Sequence, residues 1–312
     1  MDSFSILGHK IQRELLNVHI KSGKISHFYL FIGPPGIGKT LTAIEFALSI
    51  NCLRDDEICK KKVLDNIHPS VKIIDEEKSI KISQIKEIEE EVNLSLLEGR
   101  KKVIILKDTE KLTPEAANSL LKTLEEPPPD TVFILISSYS HLLLKTIVSR
   151  AQVIRFSILP YEVVNTIWHE KLKKEDPLPV YDGTMQFVDN MSLRDSLFNV
   201  FLNIFNDPNR RYIVDVLEYG SKNYAKLKDV KPFIVDIWSS FLSDIYLSHI
   251  RGIINLYRKE EIIDLRRKVE RIDLPYIFDL ISLLEKGIIY NINFNIWWEY
   301  LIVSTYDILF GG

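Results

Sequence analysis

The segment Gly33-Pro-Pro-Gly-Ile-Gly-Lys-Thr40 constrains the fold of this chain more than any other. Its spacing, Gly-x4-Gly-Lys-Thr, is that of a P-loop. An apolar run at 28–32 precedes it, and an apolar pattern typical of a helix follows it at 39–50. Glycines let backbone N–H groups point at a phosphate, and a helix N-terminus attracts the same anion. The segment therefore predicts a strand, a phosphate-binding loop and a helix, in that order.

Each P-loop position has an expected role. Lys39 would reach the β- and γ-phosphates, and Thr40 would hold Mg²⁺. The expected ligand is ATP or ADP with Mg²⁺. The predicted nucleotide-binding residues of the loop are Gly33, Pro34, Pro35, Gly36, Ile37, Gly38, Lys39 and Thr40.

Bulk composition excludes several classes of protein. The 312 residues suit two or three domains, and the net charge of −3 argues against a stand-alone DNA binder, which is usually basic. Two cysteines, Cys52 and Cys59, make a disulfide framework unexpected and favour a reducing compartment. The start, Met1-Asp-Ser-Phe-Ser5, does not resemble a signal peptide, and no apolar run reaches spanning length. We expect a cytoplasmic protein with no membrane partner.

The first half of the chain alternates between strands and helices. Because the strands are mostly apolar along their length, they predict a parallel sheet covered on both faces, an α/β fold. The P-loop would then lie at the carboxyl end of the first strand, where such sheets bind ligands. The predicted strands are 28–32, 71–74, 103–106, 131–136 and 153–156.

After Pro160 strand patterns give way to amphipathic helices, and the turn cluster Asn206-Asp-Pro-Asn209 marks a further boundary. We predict domains at 1–160, 161–205 and 206–312. The last of these is rich in aromatic residues, which we assign chiefly to the core of a helical bundle. These aromatic residues are Trp238, Phe241, Tyr246, Tyr257, Phe278, Trp297, Trp298 and Tyr300.

Four segments occur in a fixed order and together identify a family: 25–40, His68-Pro-Ser70, 116–128 and Ser149-Arg150. The most specific is Asn118-Ser-Leu-Leu-Lys-Thr-Leu-Glu-Glu-Pro-Pro128. With these motifs the chain resembles the clamp-loader subunits of bacterial DNA polymerase III, which are AAA+ proteins. The resemblance is strong up to about residue 160 and weaker beyond it.

The resemblance implies a fold and a set of partners. The fold would be a RecA-like αβα ATPase domain with a five-stranded parallel sheet, a helical lid and a C-terminal helical collar for oligomerisation. The partners would be the gamma/tau and delta subunits, with the sliding clamp and primed DNA reached through the complex. The implied role is to help load the clamp on primed DNA during replication.

The acidic motif after the strand at 103–106 is degenerate. Members of the family that hydrolyse ATP have Asp-Glu there, whereas this chain has Lys107-Asp108. An ammonium group is a poor substitute for a carboxylate ligand of Mg²⁺. Shifting the alignment by one residue still loses the second carboxylate, and Glu110 could compensate only from two places further on. This degenerate Walker B motif resembles the delta-prime type, whose members generally do not hydrolyse ATP.

Weak or absent ATPase activity is therefore expected for the chain itself, as a component of the polymerase holoenzyme. Two alternatives stay open. One is a self-sufficient ATPase of the gamma type, and the other is a scaffold whose P-loop binds no nucleotide.

Three further residues take roles from the resemblance. Arg150, in Ser149-Arg150, would act in trans as an arginine finger on ATP held by a neighbouring subunit; Ala151 replaces the family's cysteine. Ser138 falls in the sensor 1 region, with Ser137 as the alternative, and Arg194 falls in a sensor 2 pattern. Each residue also has a non-functional interpretation. Arg150 would be a surface arginine, Ser138 a turn serine and Arg194 a solvated helix arginine.

Zinc is not expected, and neither is any other metal site of the protein's own. Relatives often carry four cysteines in the region that here holds Cys52 and Cys59, and with His68 this chain offers three ligands at most, whereas a structural zinc site uses four. The run Lys60-Lys-Lys62 is also electrostatically unfavourable for a cation. We therefore expect free thiols. The runs Lys60–Lys62 and Arg100–Lys102 are interpreted as solvated rather than DNA-binding.

Overall fold

The structure is a computed structural model of the chain. It describes residues 7–53, 55–76, 79–93, 98–138, 143–181, 184–185, 188–207, 209–251, 253–268, 274–290 and 292–310. Two compact units are present. The first comprises Met1–Lys171 with Gly183–Gln186, and the second comprises Leu172–Asp182 with Phe187–Gly312.

The first unit contains a five-stranded parallel sheet in the order β2-β3-β4-β1-β5. All five predicted strands are confirmed, to within one residue at each end. The strands are β1 (Phe28–Ile32), β2 (Val71–Ile74), β3 (Lys102–Leu106), β4 (Thr131–Ser137) and β5 (Gln152–Arg155).

Strand β1 lies between β4 and β5. Its last residue, Ile32, pairs with Ser137 of β4 and Arg155 of β5. Because the strands are parallel, their carboxyl ends meet at one edge of the sheet. The segments that follow β1, β3 and β4 are thereby brought to the same edge.

Seven helices accompany this sheet among the described residues. The helix at Pro114 begins with Pro114 in the first turn and the Thr113 hydroxyl accepting from the Ala116 amide at 3.2 Å. The helices are α1 (Lys10–Lys21), α2 (Lys39–Asn51), α3 (Glu57–Leu64), α4 (Ile82–Asn93), α5 (Pro114–Glu125), α6 (Lys145–Arg150) and α7 (Tyr161–Thr166).

Helices cover both faces of the sheet. On one face α4 and α5 pack into a core cluster with alternate residues of the strands, such as Leu30 and Phe133. On the other face α2 contributes Phe46, whose ring lies edge-on to that of Tyr29 with 5.2 Å between centroids. The three-layer αβα arrangement predicted for this half of the chain is confirmed.

The second unit is helical wherever regular structure is described. Its large buried cluster draws on α8, α9, α11, α12, α13 and α14. The helices are α8 (Met191–Phe205), α9 (Ile213–Lys222), α10 (Tyr224–Leu227), α11 (Lys231–Arg251), α12 (Lys259–Lys268), α13 (Leu274–Ile289) and α14 (Phe294–Phe310).

Aromatic residues fill this helical core. Trp238, Phe241, Trp297 and Trp298 are all buried, which confirms their assignment, whereas Tyr300 is 41% exposed. The indole N–H of Trp238 donates to the Thr305 hydroxyl at 2.9 Å, so its polar edge is satisfied inside the core. The side chains of Tyr246, Tyr257 and Phe278 lie outside the described set.

The boundary between the two compact units falls after Lys171. The predicted domain 1–160 stays a prediction. The division of the helical part into 161–205 and 206–312 stays a prediction. None of the described helices has the length and apolar character needed to cross a bilayer.

Candidate nucleotide-binding site

The P-loop connects β1 to α2, as the sequence predicts. Gly38 precedes the helix with φ +93°, a conformation that strongly favours glycine, and Lys39 is the first helical residue. Gly33 is needed for a different reason, because a Cβ there would lie 2.4 Å from the carbonyl oxygen of Phe156. Thr40 is half-buried in the first turn of the helix. The loop therefore has the backbone geometry of an anion site at a helix N-terminus.

Two contacts from distant parts of the chain hold this loop, and sequence reasoning missed both. His9, in the left-handed conformation with φ 50°, donates from Nε2 to the Ile37 carbonyl at 2.7 Å. Burial lowers the pKa of His9, so the ring is neutral with its proton on Nε2. The Met185 amide donates to the Gly36 carbonyl at 2.9 Å. No local motif marks either contact, because each forms only in the folded chain.

Lys39 is turned onto its own loop. Its ammonium donates to the carbonyls of Gly33 at 2.7 Å and Pro34 at 2.6 Å, and to the Ser138 hydroxyl at 3.3 Å. Only 6% of the residue is exposed. A nucleotide phosphate would have to replace these carbonyl acceptors.

Burial also changes the acidity of this lysine. It lowers the pKa of Lys39 to about 8, and the negative charges of Glu110 and Asp108 partly oppose that shift. A buried ammonium without a full counter-charge favours an anionic ligand beside it. The electrostatics of the site therefore match the phosphate-binding role predicted for Lys39.

Ser138, directly after β4, lies at the centre of the polar contacts. Its hydroxyl accepts from Lys39, and its amide donates to Oε1 of Glu110 at 3.2 Å. The structure thus places the predicted sensor 1 residue beside the P-loop lysine. Glu110, which the sequence marked only as a distant substitute, joins the same cluster.

The degenerate pair that follows β3 has partners of its own. Lys107 forms an ion pair with Asp75, directly after β2, and so has a carboxylate partner outside the P-loop. Asp108 adopts φ 46° and pairs with Lys111, with 2.8 Å between Nζ and Oδ2. Glu110, two residues beyond this left-handed position, is the residue of the segment whose hydrogen bond with Ser138 is observed.

Arg150 ends α6, and its side chain is 41% exposed. Its guanidinium contacts Oε1 of Glu125 at 2.7 Å and the Thr146 carbonyl at 3.2 Å. These recorded partners belong to α5 and α6, not to the P-loop. The side chain is therefore accessible, as a residue acting on another subunit has to be.

Arg194 belongs to the helical unit, where it is 1% exposed. Its Nε and Nη2 atoms donate to Asn255 Oδ1 at 3.1 and 2.9 Å, and Nη2 donates to the Ser240 hydroxyl at 3.1 Å. Asn255 is held in turn by Asp244, which accepts from its side-chain amide at 2.7 Å. The nucleotide contact predicted for Arg194 stays a prediction. The observed hydrogen bonds of Arg194 are to Asn255 and Ser240, inside the helical unit.

The expectation of free thiols is wrong for this structure. Cys52 and Cys59 are bonded as a disulfide across the turn from α2 to α3, with their Cα atoms 5.7 Å apart. Reversal of the chain between the two helices brings residues seven apart within disulfide range. His68 is brought to the same place, since one ligand atom from each of the three residues lies within 4.8 Å of the others.

This cluster fits zinc poorly. The Ser70 amide donates to His68 Nδ1 at 3.1 Å, which leaves the proton of the neutral ring on Nε2. Binding a metal through Nε2 would require that proton to move and the contact with Ser70 to be lost. The expected absence of zinc stays a prediction.

The basic runs have local partners. Lys60 pairs with Glu57 at 2.6 Å and Lys62 with Glu98 at 2.9 Å. Lys102 is buried and donates to the Glu91 carbonyl at 2.8 Å. The expectation that both runs are solvated is therefore wrong for Lys102, which is buried at the start of β3, and the expected absence of DNA contact stays a prediction.

A parallel sheet in the order β2-β3-β4-β1-β5, with a P-loop after β1 and a polar residue after β4, defines a P-loop domain with the AAA+ fold. Residues 8–160 match a family model described as "DNA polymerase III, delta subunit". This matched region, residues 8–160, belongs to the clamp-loader family of DNA polymerase III.

Individual relatives agree with this assignment. The chain is 36% identical over 173 residues to DNA polymerase III subunit delta′ of Bacillus subtilis, a match that covers 53% of this chain and 51% of that protein. It is 31% identical over 203 residues to subunit tau of the same organism, covering 62% of this chain and 36% of that protein. The chain thus spans about half or less of these relatives' own length.

A solved structure of a gamma-subunit-related protein of DNA polymerase III from Thermotoga maritima is similar over 96% of this chain and 99% of its own. The sequence identity is 19% and the TM-score 0.48.

Proposed function

We propose that this chain is a delta-prime-like subunit of the clamp loader, which binds nucleotide, hydrolyses it weakly or not at all, and supplies Arg150 to a neighbouring ATPase subunit. The observation that carries the proposal is the placement of Arg150 at the exposed end of α6, with surface partners only. An arginine finger from a neighbour neutralises charge that develops on the γ-phosphate during transfer. The similarity to a delta′ protein supports the same role.

The proposed partners are the gamma/tau and delta subunits, with the sliding clamp and primed DNA reached through the complex. The cytoplasm is the proposed compartment.

Nucleotide binding by the chain itself is supported by its own donors. The N-terminus of α2 and the Lys39 ammonium form a cationic pocket that suits a di- or triphosphate. Thr40 would contribute its hydroxyl to Mg²⁺, which would neutralise phosphate charge when bound. Weak hydrolysis is supported by Lys107, a cation paired with Asp75, where ATP-hydrolysing members of the family have a carboxylate.

Reconstitution tests the finger. Wild type, Arg150→Ala and the control Arg155→Ala, an exposed arginine of the same unit, would each be assembled with the gamma/tau and delta subunits. We expect Arg150→Ala to abolish turnover at the neighbouring site, by a factor of about 10³ or more, and to impair clamp loading on primed DNA. Arg155→Ala should behave as wild type. Unchanged clamp-stimulated ATPase and loading with Arg150→Ala would refute the role in trans.

A gamma-type ATPase is the second candidate, because the P-loop is intact and the chain is also similar to a tau protein. Steady Mg²⁺-dependent turnover by the isolated chain, abolished by Lys39→Ala, would establish it. Equilibrium nucleotide binding on the same sample decides the scaffold alternative, since micromolar affinity excludes a P-loop that binds nothing.

A further inference from the structure

The family motif places two carboxylates directly after β3, where this chain has Lys107-Asp108. Lys107 pairs with Asp75, and Asp108 pairs with Lys111. Both side chains therefore have partners in the segments that follow β2 and β3. A divalent cation on the nucleotide would need a carboxylate from another residue.

Glu110 meets that requirement by position. Its Oε1 accepts from the Ser138 amide at 3.2 Å, and the Ser138 hydroxyl accepts from the Lys39 ammonium at 3.3 Å. Glu110 is thus two hydrogen bonds away from the P-loop lysine, and its charge favours the ammonium form of that lysine. Asp108 has the same but smaller effect on Lys39, so the hydrogen bond from the Ser138 amide to Glu110 is what distinguishes Glu110 from Asp108.

A hydrogen bond from Thr109 to the neighbouring strand holds the turn that contains Glu110. The hydroxyl of Thr109 donates to the Ile136 carbonyl of β4 at 3.0 Å, and Thr109 is almost fully buried. This contact ties the turn after β3 to the neighbouring strand. The position of the Glu110 side chain therefore follows from the sheet itself rather than from a free loop.

One oxygen of Glu110 has no partner. Oε2 is buried and accepts no hydrogen bond from any residue that the structure describes. Leaving a buried polar atom without a hydrogen bond is unfavourable, and more so when the group is charged. Such an atom in a phosphate-binding site suits a cation with its water shell, because Mg²⁺ selects oxygen ligands and usually retains several waters.

We propose that Glu110, rather than Lys107 or Asp108, is the carboxylate that serves the divalent cation of the bound nucleotide, with Oε2 facing the cation or its water shell. This inference rests on the proposed nucleotide binding and deepens it. It assigns the carboxylate that the degenerate motif lacks to the turn after β3. It makes Glu110 a positioning residue for the cation and requires no hydrolysis.

Binding of a fluorescent ADP analogue to the full chain tests the proposal, measured first in EDTA and then as a function of Mg²⁺ concentration. The variants are Glu110→Gln, which keeps an acceptor for the Ser138 amide, and Glu87→Gln, an exposed acid of α4, as the matched control. We expect Glu110→Gln to bind the analogue in EDTA at least as tightly as wild type. Its Mg²⁺ midpoint should rise about 10–100-fold. Glu87→Gln should match wild type in both measurements.

Three outcomes would overturn the assignment. A Glu110→Gln midpoint equal to that of Glu87→Gln removes any role toward the cation. Loss of binding in EDTA as well would show that Glu110 shapes the loop instead. If Glu110→Gln fails to fold by circular dichroism, Glu110→Ala replaces it, and a wild-type Mg²⁺ midpoint for this variant, which has no carboxylate, refutes the proposal.

The same measurements distinguish a failure of the proposed nucleotide binding from a failure of the proposed role of Glu110. If wild type binds no analogue with or without Mg²⁺, and Lys39→Ala gives the same signal, the proposed nucleotide binding is refuted and the role of Glu110 with it. If wild type binds and Lys39→Ala does not, nucleotide binding stands whatever Glu110→Gln shows.

Discussion

Arg150 and Glu125 form an ion pair, with 2.7 Å between Nη2 and Oε1, that joins two sequence motifs distant in the chain. Glu125 belongs to the Leu124-Glu-Glu-Pro-Pro128 segment at the end of α5, and Arg150 ends α6. Both side chains are more than 40% exposed, so the pair is screened by solvent. The contact orients the arginine without burying it.

We therefore expect Glu125→Gln to have little effect on stability, within about 1 kcal/mol of the free energy of unfolding. In the reconstituted complex it should change clamp-stimulated ATPase far less than Arg150→Ala does, because the guanidinium itself remains. Glu126→Gln, at the adjacent exposed position, is the matched control. A Glu125→Gln defect as large as that of Arg150→Ala would mean that the ion pair, and not the free guanidinium, is the active arrangement.

Nucleotide binding should depend on pH through Lys39. Burial lowers the pKa of Lys39 to about 8 in the free protein. A phosphate placed beside the ammonium favours the charged form and raises the pKa of Lys39 in the complex. The complex therefore holds more protons than the free protein above about pH 8, and affinity should fall as the pH rises from about 7 to about 9.5.

Calorimetry in two buffers of different ionisation enthalpy measures the proton uptake directly. At about pH 8.5 we expect a net uptake on binding, which disappears in Lys39→Ala together with most of the affinity. Equal binding enthalpies in the two buffers for wild type would show that Lys39 does not titrate on binding.

Most of the secondary structure of the first unit can be predicted from the sequence, because the local apolar patterns match the positions of the strands in the sheet. The three inner strands, β1, β3 and β4, are largely apolar and buried along their whole length, so their sequence pattern and their environment both indicate a central parallel strand. The edge strands β2 and β5 contain Lys72 and Arg155 and are only partly buried. The P-loop could be predicted because the spacing of Gly33, Gly38 and Lys39 is local. Contacts such as His9 to Ile37 or Glu110 to Ser138 could not, because they depend on how distant segments meet.

Helix α1 shows that helical periodicity does not predict which residues of a helix are buried. Its apolar residues predict a helix, which forms, but Ile11 and Val18 are 78% and 58% exposed, and only Leu16 is buried. Periodicity identifies the helix without saying what covers its face. The second unit poses the same problem, since the pattern around Arg194 resembles a nucleotide sensor while its recorded contacts are internal.

Arg194 should be important for the stability of the helical unit. Replacing it by lysine keeps the charge but loses the planar fork that binds Asn255 and Ser240. We expect Arg194→Lys to lower the free energy of unfolding by about 1–3 kcal/mol for each buried group left without a partner. Arg210→Lys is the control, because the Arg210 side chain is 45% exposed and its ion pair with Asp307 lies at the surface.

Denaturant unfolding and nucleotide binding on the same samples separate the two roles of Arg194. A structural role predicts reduced stability with unchanged nucleotide affinity in the folded protein. Unchanged stability with weakened nucleotide binding would instead favour the sensor role.

The Cys52–Cys59 disulfide should stabilise the turn between α2 and α3 only under oxidising conditions. A cross-link between residues seven apart contributes about 2–3 kcal/mol by restricting the unfolded chain. We expect reductant to lower the unfolding midpoint of wild type to that of Cys52→Ser, which itself should not respond to reductant. In a reducing cytoplasm the pair would be present as thiols.

The same reduced sample tests the expected absence of zinc. Two thiols and His68 offer three ligands, and the Nδ1 atom of His68 already accepts from Ser70. A structural zinc site uses four ligands, so we expect well under one equivalent of zinc after purification with reductant and dialysis against trace zinc. One equivalent of zinc by metal analysis, lost in Cys52→Ser together with stability, would show that a fourth ligand completes the site.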